Sequence, residues 1–192
     1  MTRRRLYRVV VGAALALTGL GAIAVGFIYS GIYNVAATAQ HTWPVYWATD
    51  TAMRYSIARR VDDAVMPDLN DSARIARGMR LYRTHCLQCH GAPGVAPEPF
   101  ALGMMPIPAN LVETARRWPT LNIHWVVTYG VKMTGMPAWK YRLSDAEIWD
   151  VVAFVELMQH MSPNEYAAFA KLAREPGGAD GRARSADTGA PP

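Results

Sequence analysis

Three side chains able to hold a metal or take part in redox chemistry stand within five positions, in Cys86-Leu87-Gln88-Cys89-His90. Cys86 and Cys89 are the only two cysteines in 192 residues, so no disulfide framework staples the chain and the pair must serve local chemistry. Cys-x-x-Cys-His is the attachment signature of c-type haem, in which two thiols bond the porphyrin vinyl groups and the next histidine coordinates iron. The spacing has a physical reason. Cysteines three apart on one helical turn can reach the two vinyls of one ring edge, and the adjacent histidine then points inward at the metal. Other uses of the pair fit less well. Structural zinc wants four Cys or His ligands, and a second pair at metal-site spacing is missing from the sequence. A thioredoxin-like redox pair wants a βαβ context, whereas these flanks read as helical. Two ordinary core cysteines would leave His90 unexplained.

A reducing cytosol is the wrong place for covalent haem assembly in bacteria, so this chemistry requires export. From Val9 to Tyr29 there are 21 residues without a charge, and Thr18 is the only clearly polar side chain before Tyr29. As a helix the run spans roughly 30 Å, the thickness of the hydrocarbon core, with its backbone groups satisfied internally. It reads as a retained anchor. The alternative is a cleaved secretory signal using the small-x-small site Ala37-Thr38-Ala39. Signal h-regions, however, run about 7 to 15 residues, and this run is longer and ends well before that site. Arg3, Arg4, Arg5 and Arg8 hold the N-terminus on the cytoplasmic side. The expectation is a single-pass protein of the bacterial inner membrane with its C-terminal bulk in the periplasm.

Those four arginines also carry most of the net charge of +5. The rest of the chain holds sixteen Lys and Arg against fifteen Asp and Glu, so nucleic-acid binding loses its main support. A composition of 51% hydrophobic and 18% charged residues excludes wholesale disorder and a multi-span membrane protein.

The elements that must position the motif are helical, and the fold class read from the sequence is all-α. Residues 1–30 form the basic tip and anchor, and 31–70 a juxtamembrane linker that is partly helical. Within it, Thr42 as N-cap and Pro44 in the first turn suit a helix over 44–60. Trp43, Tyr46, Trp47 and Tyr55 then suggest either a membrane-interface belt or a docking surface for a partner subunit. A haem domain is expected over 71–162. Its first helix is capped by Asp71 or Ser72 and runs to about His85. The Pro- and Gly-rich stretch from Gly91 to Asn110 should be irregular, and a short helix over Leu121 to Tyr129 closes at Gly130. Ser144-Asp145-Ala146-Glu147 is a capping box that opens a helix to about Gln159, and Ser162 to Glu165 opens another short helix over 163–175. Residues 176–192 lack periodicity and should be disordered. Arg74, Arg77, Arg80 and Arg83 recur every third position, which reads as a solvated helix face.

Over roughly residues 71–161 the chain resembles the class I c-type cytochromes. Gly78 and Tyr82 stand where the family's first helix carries a glycine and an aromatic that pack on the last helix. Asp150-Val151-Val152-Ala153-Phe154 looks like that last helix, with Phe154 as the partner aromatic. Gly135-Met136-Pro137-Ala138-Trp139 resembles the loop that supplies the second axial ligand. The resemblance implies one covalent haem c on Cys86 and Cys89, with His90 as proximal and Met136 as distal iron ligand. It also implies a proline-loop carbonyl that orients His90, for which Pro93, Pro97 and Pro99 are the candidates.

Met136 lies 46 residues after His90 in a Gly- and Pro-framed loop, where a tether can hold sulfur on iron. Met133 is its nearest rival. Met104 and Met105 read as packing groups, and His124 as a surface or hydrogen-bonded histidine rather than a second imidazole ligand. His85, His41 and His160 lack a supporting motif. Trp118, Trp139 and Tyr141 are large enough to shield the haem or to reach its propionates with a polar tip. The function expected is a membrane-anchored single-haem electron carrier, not an enzyme. It would pass electrons between a dehydrogenase and an oxidase or another cytochrome, with no small-molecule substrate. The alternatives are a gas sensor or peroxidase with an open or labile sixth site, and a structural subunit of a larger respiratory complex.

Overall fold

A computed structural model describes residues 2–61 and 65–172. The expected end of the last helix at 173–175 and the expected disorder of 176–192 lie outside them. Every named element is helical, and the one β-type feature among the described residues is an isolated bridge between Ala92 and Val95. Contacts divide the chain after Gln40 into two units. The first holds α1 (Arg3–Tyr29), which takes in the basic tip as well as the apolar run. None of its side chains is buried, and by length and composition it can cross a membrane.

The second unit begins at His41, so the stretch read as a linker is shared between the two. It contains α2 (Trp43–Ala58), α3 (Ser72–His85), α4 (Leu87–His90), α5 (Pro99–Leu102), α6 (Leu111–Arg117) and α7 (Thr120–Tyr129). A 3₁₀ turn (Trp139–Tyr141), α8 (Asp145–Met158) and α9 (Pro163–Leu172) follow. α5 is a single turn inside the stretch expected to be irregular. Pro99 seeds it, because a fixed φ and a missing N–H suit a first helical turn.

α8 is the hub. Apolar on nearly every side, it buries Ile148, Trp149, Val151, Val152, Ala153, Phe154, Val155 and Met158, as a helix enclosed by others must. Its start is fixed by a complete capping box, in which the Ser144 hydroxyl accepts from the Glu147 N–H and the Glu147 carboxylate accepts from the Ser144 N–H at 2.8 Å. α3 crosses α8 at Gly78, where an added Cβ would lie 1.8 Å from the Asp150 carbonyl oxygen. One turn further on, the Tyr82 and Phe154 rings meet at 5.3 Å. α9 joins the same core through buried Tyr166 and through Phe169, which stacks on Phe154 at 6.2 Å.

The expected solvated arginine face is only partly so. Arg74 and Arg77 converge on Asp150, which is 3% exposed, with N–O distances of 2.9, 2.7 and 3.1 Å. Arg83 donates to the Ala170 carbonyl at 3.3 Å, and Arg80 faces solvent. The close approach at Gly78 brings the two helices near enough for the arginines beside it to reach across, and a buried carboxylate requires such partners.

Candidate functional site

α3 runs directly into the Cys-x-x-Cys-His turn. Cys86 is its C-cap, with its N–H on the Tyr82 carbonyl at 2.8 Å, and the N–H groups of Cys89 and His90 then bond back to the Cys86 carbonyl. All three chemical side chains therefore hang from one helical turn. Both thiols are free. Cys86 is buried, and burial, with Cys89 beside it, pushes its thiol pKa up to about 12. Tyr82 fixes the far edge of the turn by donating its buried hydroxyl to the Gly91 carbonyl at 2.6 Å.

The His90 ring is held through Nδ1, 2.8 Å from the Ala109 carbonyl. A carbonyl can only accept, so Nδ1 carries the hydrogen and Nε2 presents its lone pair. Burial lowers the pKa of this imidazole, with the Ala109 contact acting the other way, which favours the neutral, ligating form. The orienting carbonyl thus belongs to Ala109 and not to Pro93, Pro97 or Pro99. Gly91 and Gly94, both at positive φ, close a tight turn through paired Ala92–Val95 bonds of 2.9 and 2.8 Å that takes Pro93 into the turn itself. The carbonyl that meets His90 comes at the end of the loop, after Pro108. There Asn110 caps α6 by accepting from the N–H groups of Val112 and Glu113.

The methionine loop is framed by glycines. Gly130, at φ +67°, lies so close to the backbone of Met136 and Pro137 that a Cβ would stand 2.7 Å from each. Thr134 braces the loop from inside, donating its hydroxyl to the Val131 carbonyl at 2.8 Å and accepting from the Met136 N–H at 3.1 Å. Met136 is half-buried against the same apolar cluster that contains Cys86. Met133 has φ +61° and is 93% exposed. Met104 packs over Gly135, its sulfur 2.9 Å from where a Cβ would be.

His124 is committed elsewhere: Nε2 lies 3.1 Å from the Asp145 carboxylate and the ring stacks on Trp149 at 3.9 Å. Of the three large aromatics, Trp118 lies under the Arg54 guanidinium at 5.4 Å, and Tyr141 is exposed with Lys140 over its ring. Trp139 packs on His85 at 4.9 Å, and its buried Nε1 has no hydrogen-bond partner. A buried N–H without an acceptor is costly, so this indole suits an anionic oxygen brought by another group. Among the described residues no group of three or more His, Cys, Asp or Glu is placed to hold a metal ion. Two free thiols on one turn, an imidazole with Nε2 available, a half-buried thioether and an unpartnered indole N–H fit a covalently attached haem with carboxylate side groups.

The carbonyl on His90 and the arginine pair on Asp150 had no sequence signal of their own. A backbone acceptor leaves no residue signature, and the ion partners are more than seventy positions apart.

Residues 73–155 match the family model described as cytochrome C oxidase, cbb3-type, subunit III. No curated protein and no solved structure matches the chain. The matched span is a c-type cytochrome domain.

Proposed function

We propose that this c-type cytochrome domain is a membrane-anchored carrier of single electrons. It would work on the periplasmic side between a dehydrogenase and an oxidase or another cytochrome. The observation that carries the reading is the His90 ring, locked through Nδ1 onto Ala109 with Nε2 free, directly beside two unpaired thiols. Haem c held there supplies a one-electron couple. Cys86 and Cys89 would bind it covalently, and His90 and Met136 would ligate its iron. The Ala109 bond keeps the imidazole from rotating and raises its basicity as a ligand. Thr134 and Gly130 hold the backbone that presents Met136, so both ligands sit on supported positions and little has to rearrange as charge changes. α1 serves as the anchor, with the N-terminal arginines inside. The family description favours a second reading, in which the domain is a subunit of an oxidase complex. Co-purification of the tagged chain from detergent-solubilised membranes with haem–copper oxidase subunits would favour it, and recovery of the chain by itself would favour the carrier.

Met136→Ala tests the carrier. Loss of the weak far-red sulfur-to-iron absorption, new binding of carbon monoxide by the reduced form and a lower potential should appear together. Met133→Ala should leave all three nearly unchanged, because that side chain is in solvent. Ready binding of carbon monoxide by the unmodified protein would point to a sensor or peroxidase instead.

A further inference from the structure

The stripe of α2 that is buried at Ile57 and half-buried at Met53, where the helix lies against α7, is interrupted by half-buried Asp50 and resumes toward the N-terminus as Trp43, Tyr46 and Trp47. There no described residue covers it. These three rings are 72%, 59% and 56% exposed, and Trp43 and Trp47 stack on each other at 6.4 Å. The contrast within the chain is sharp: Trp118, Trp125 and Trp139 are half-buried and Trp149 is buried, which leaves Trp43 and Trp47 as the exposed pair among six tryptophans. Water-exposed rings in i, i+3 and i+4 positions are a surface awaiting a partner.

We propose that this aromatic end of α2 lies in the headgroup region of the bilayer and seats the cytochrome domain on the membrane surface, independently of the covalent tether. The proposal rests on reading α1 as the anchor. Three observations favour lipid as the occupant. The rings are Trp and Tyr, whose apolar bodies and polar tips suit the membrane–water boundary. Residues 43–49 carry no charge, and the nearest charge along this face, Asp50, is already paired with Arg54 at 2.8 Å, so the patch offers little to select a charged protein surface. Thirteen residues, 30–42, separate the end of α1 from the start of α2, a reach of at most about 45 Å. A tether that short holds the rings near the bilayer at an effective concentration on the order of millimolar, so even weak interfacial affinity keeps them engaged.

The test uses the full, haem-loaded chain with a protease site inserted after Ala37, reconstituted into vesicles of phosphatidylethanolamine and phosphatidylglycerol. Carbonate extraction of the uncut protein reports on the anchor: if it strips the chain, the anchor reading fails on its own. After cleavage, the released domain should sediment with the vesicles. The Trp43→Ser, Tyr46→Ser, Trp47→Ser variant should be retained about tenfold less or lower, the loss expected from removing three partly buried rings. Circular dichroism of the variant should match the parent, since these side chains touch no core. Equal release of the parent and variant domains would overturn the proposal. Retention of the cut parent on native membranes but not on lipid vesicles would also overturn it, by making the occupant a protein.

Discussion

Gly78→Ala is a substitution whose sign the packing decides. On an isolated helix it should stabilise, because Gly in a helix interior is about 1 kcal/mol worse than Ala. Here the new Cβ would stand 1.8 Å from the Asp150 carbonyl oxygen and 2.5 Å from its carbon, both of them backbone. An ordinary carbon–oxygen contact is about 3.3 Å, so α3 and α8 must part by roughly 1.5 Å. Overpacking that only displaces side chains costs about 1–3 kcal/mol, and a backbone collision belongs at the upper end. Separation also pulls Asp150 away from Arg74 and Arg77, and a buried carboxylate that loses its partners costs about 3–5 kcal/mol if the break is complete. With partial loosening and the propensity gain subtracted, the net destabilisation is about 3 kcal/mol, a large share of the 5–15 kcal/mol typical of a domain. Urea unfolding of the haem-loaded chain in detergent, followed by far-ultraviolet circular dichroism, measures it. Gly135→Ala is the internal control. Its nearest neighbours are the sulfur and terminal carbon of Met104, which can swing away, so the change should stay within about 1 kcal/mol. A Gly78→Ala protein as stable as the parent would refute the helix-crossing argument.

Other perturbations follow the same logic. Asp150→Asn keeps the shape but leaves Arg74 and Arg77 without their counter-charge. A loss of about 3 kcal/mol in the same urea assay is expected, and a neutral result would mean that water compensates the pair. Tyr82→Phe removes the 2.6 Å bond to the Gly91 carbonyl inside the core and should cost about 1–2 kcal/mol, read as a lower thermal midpoint. Burial holds the His124 pKa below its ordinary value, with Asp145 opposing, so the unfolded chain takes up the proton first. The stability this residue contributes is complete above about pH 6.5 and is lost as pH falls toward the folded value. His124→Gln should therefore flatten the stability profile as pH falls below about 6.5, and an unchanged slope there would assign it to another group.

The features legible in the sequence are those whose partners lie within one helical turn or whose side chains have few alternatives. A haem motif compresses two thiols and an imidazole into five residues, and a capping box spans four. A glycine beside an aromatic on one helix, with a second aromatic on the last, marks a crossing because only a residue without Cβ lets backbones approach that closely. Arg74 and Arg77 were not legible as ion partners. A three-residue repeat spreads around a helix, and which members face the neighbour depends on the crossing angle. The Gly and Pro frame sets Met136 apart from Met133 in the sequence, and the structure turns Met133, at positive φ, into solvent while Met136 lies against the core.

The carbonyl on His90 shows why a loop with little regular structure matters to the site. The acceptor is main chain, so no substitution at Ala109 removes it, and what can fail is its placement. That placement is set one residue later, where Asn110 caps α6 and so fixes the direction in which the chain enters the helix. At the other end it is set by the turn at Gly91 and Gly94, which takes Pro93 into itself. The imidazole's orientation, its tautomer and its basicity toward a metal therefore depend on residues that never touch it, through the path of twenty residues between Gly91 and Asn110. A change that frays the α6 cap would act on His90 and on the core together, because Leu111 and Val112, the first residues of α6, pack against the apolar cluster around α8.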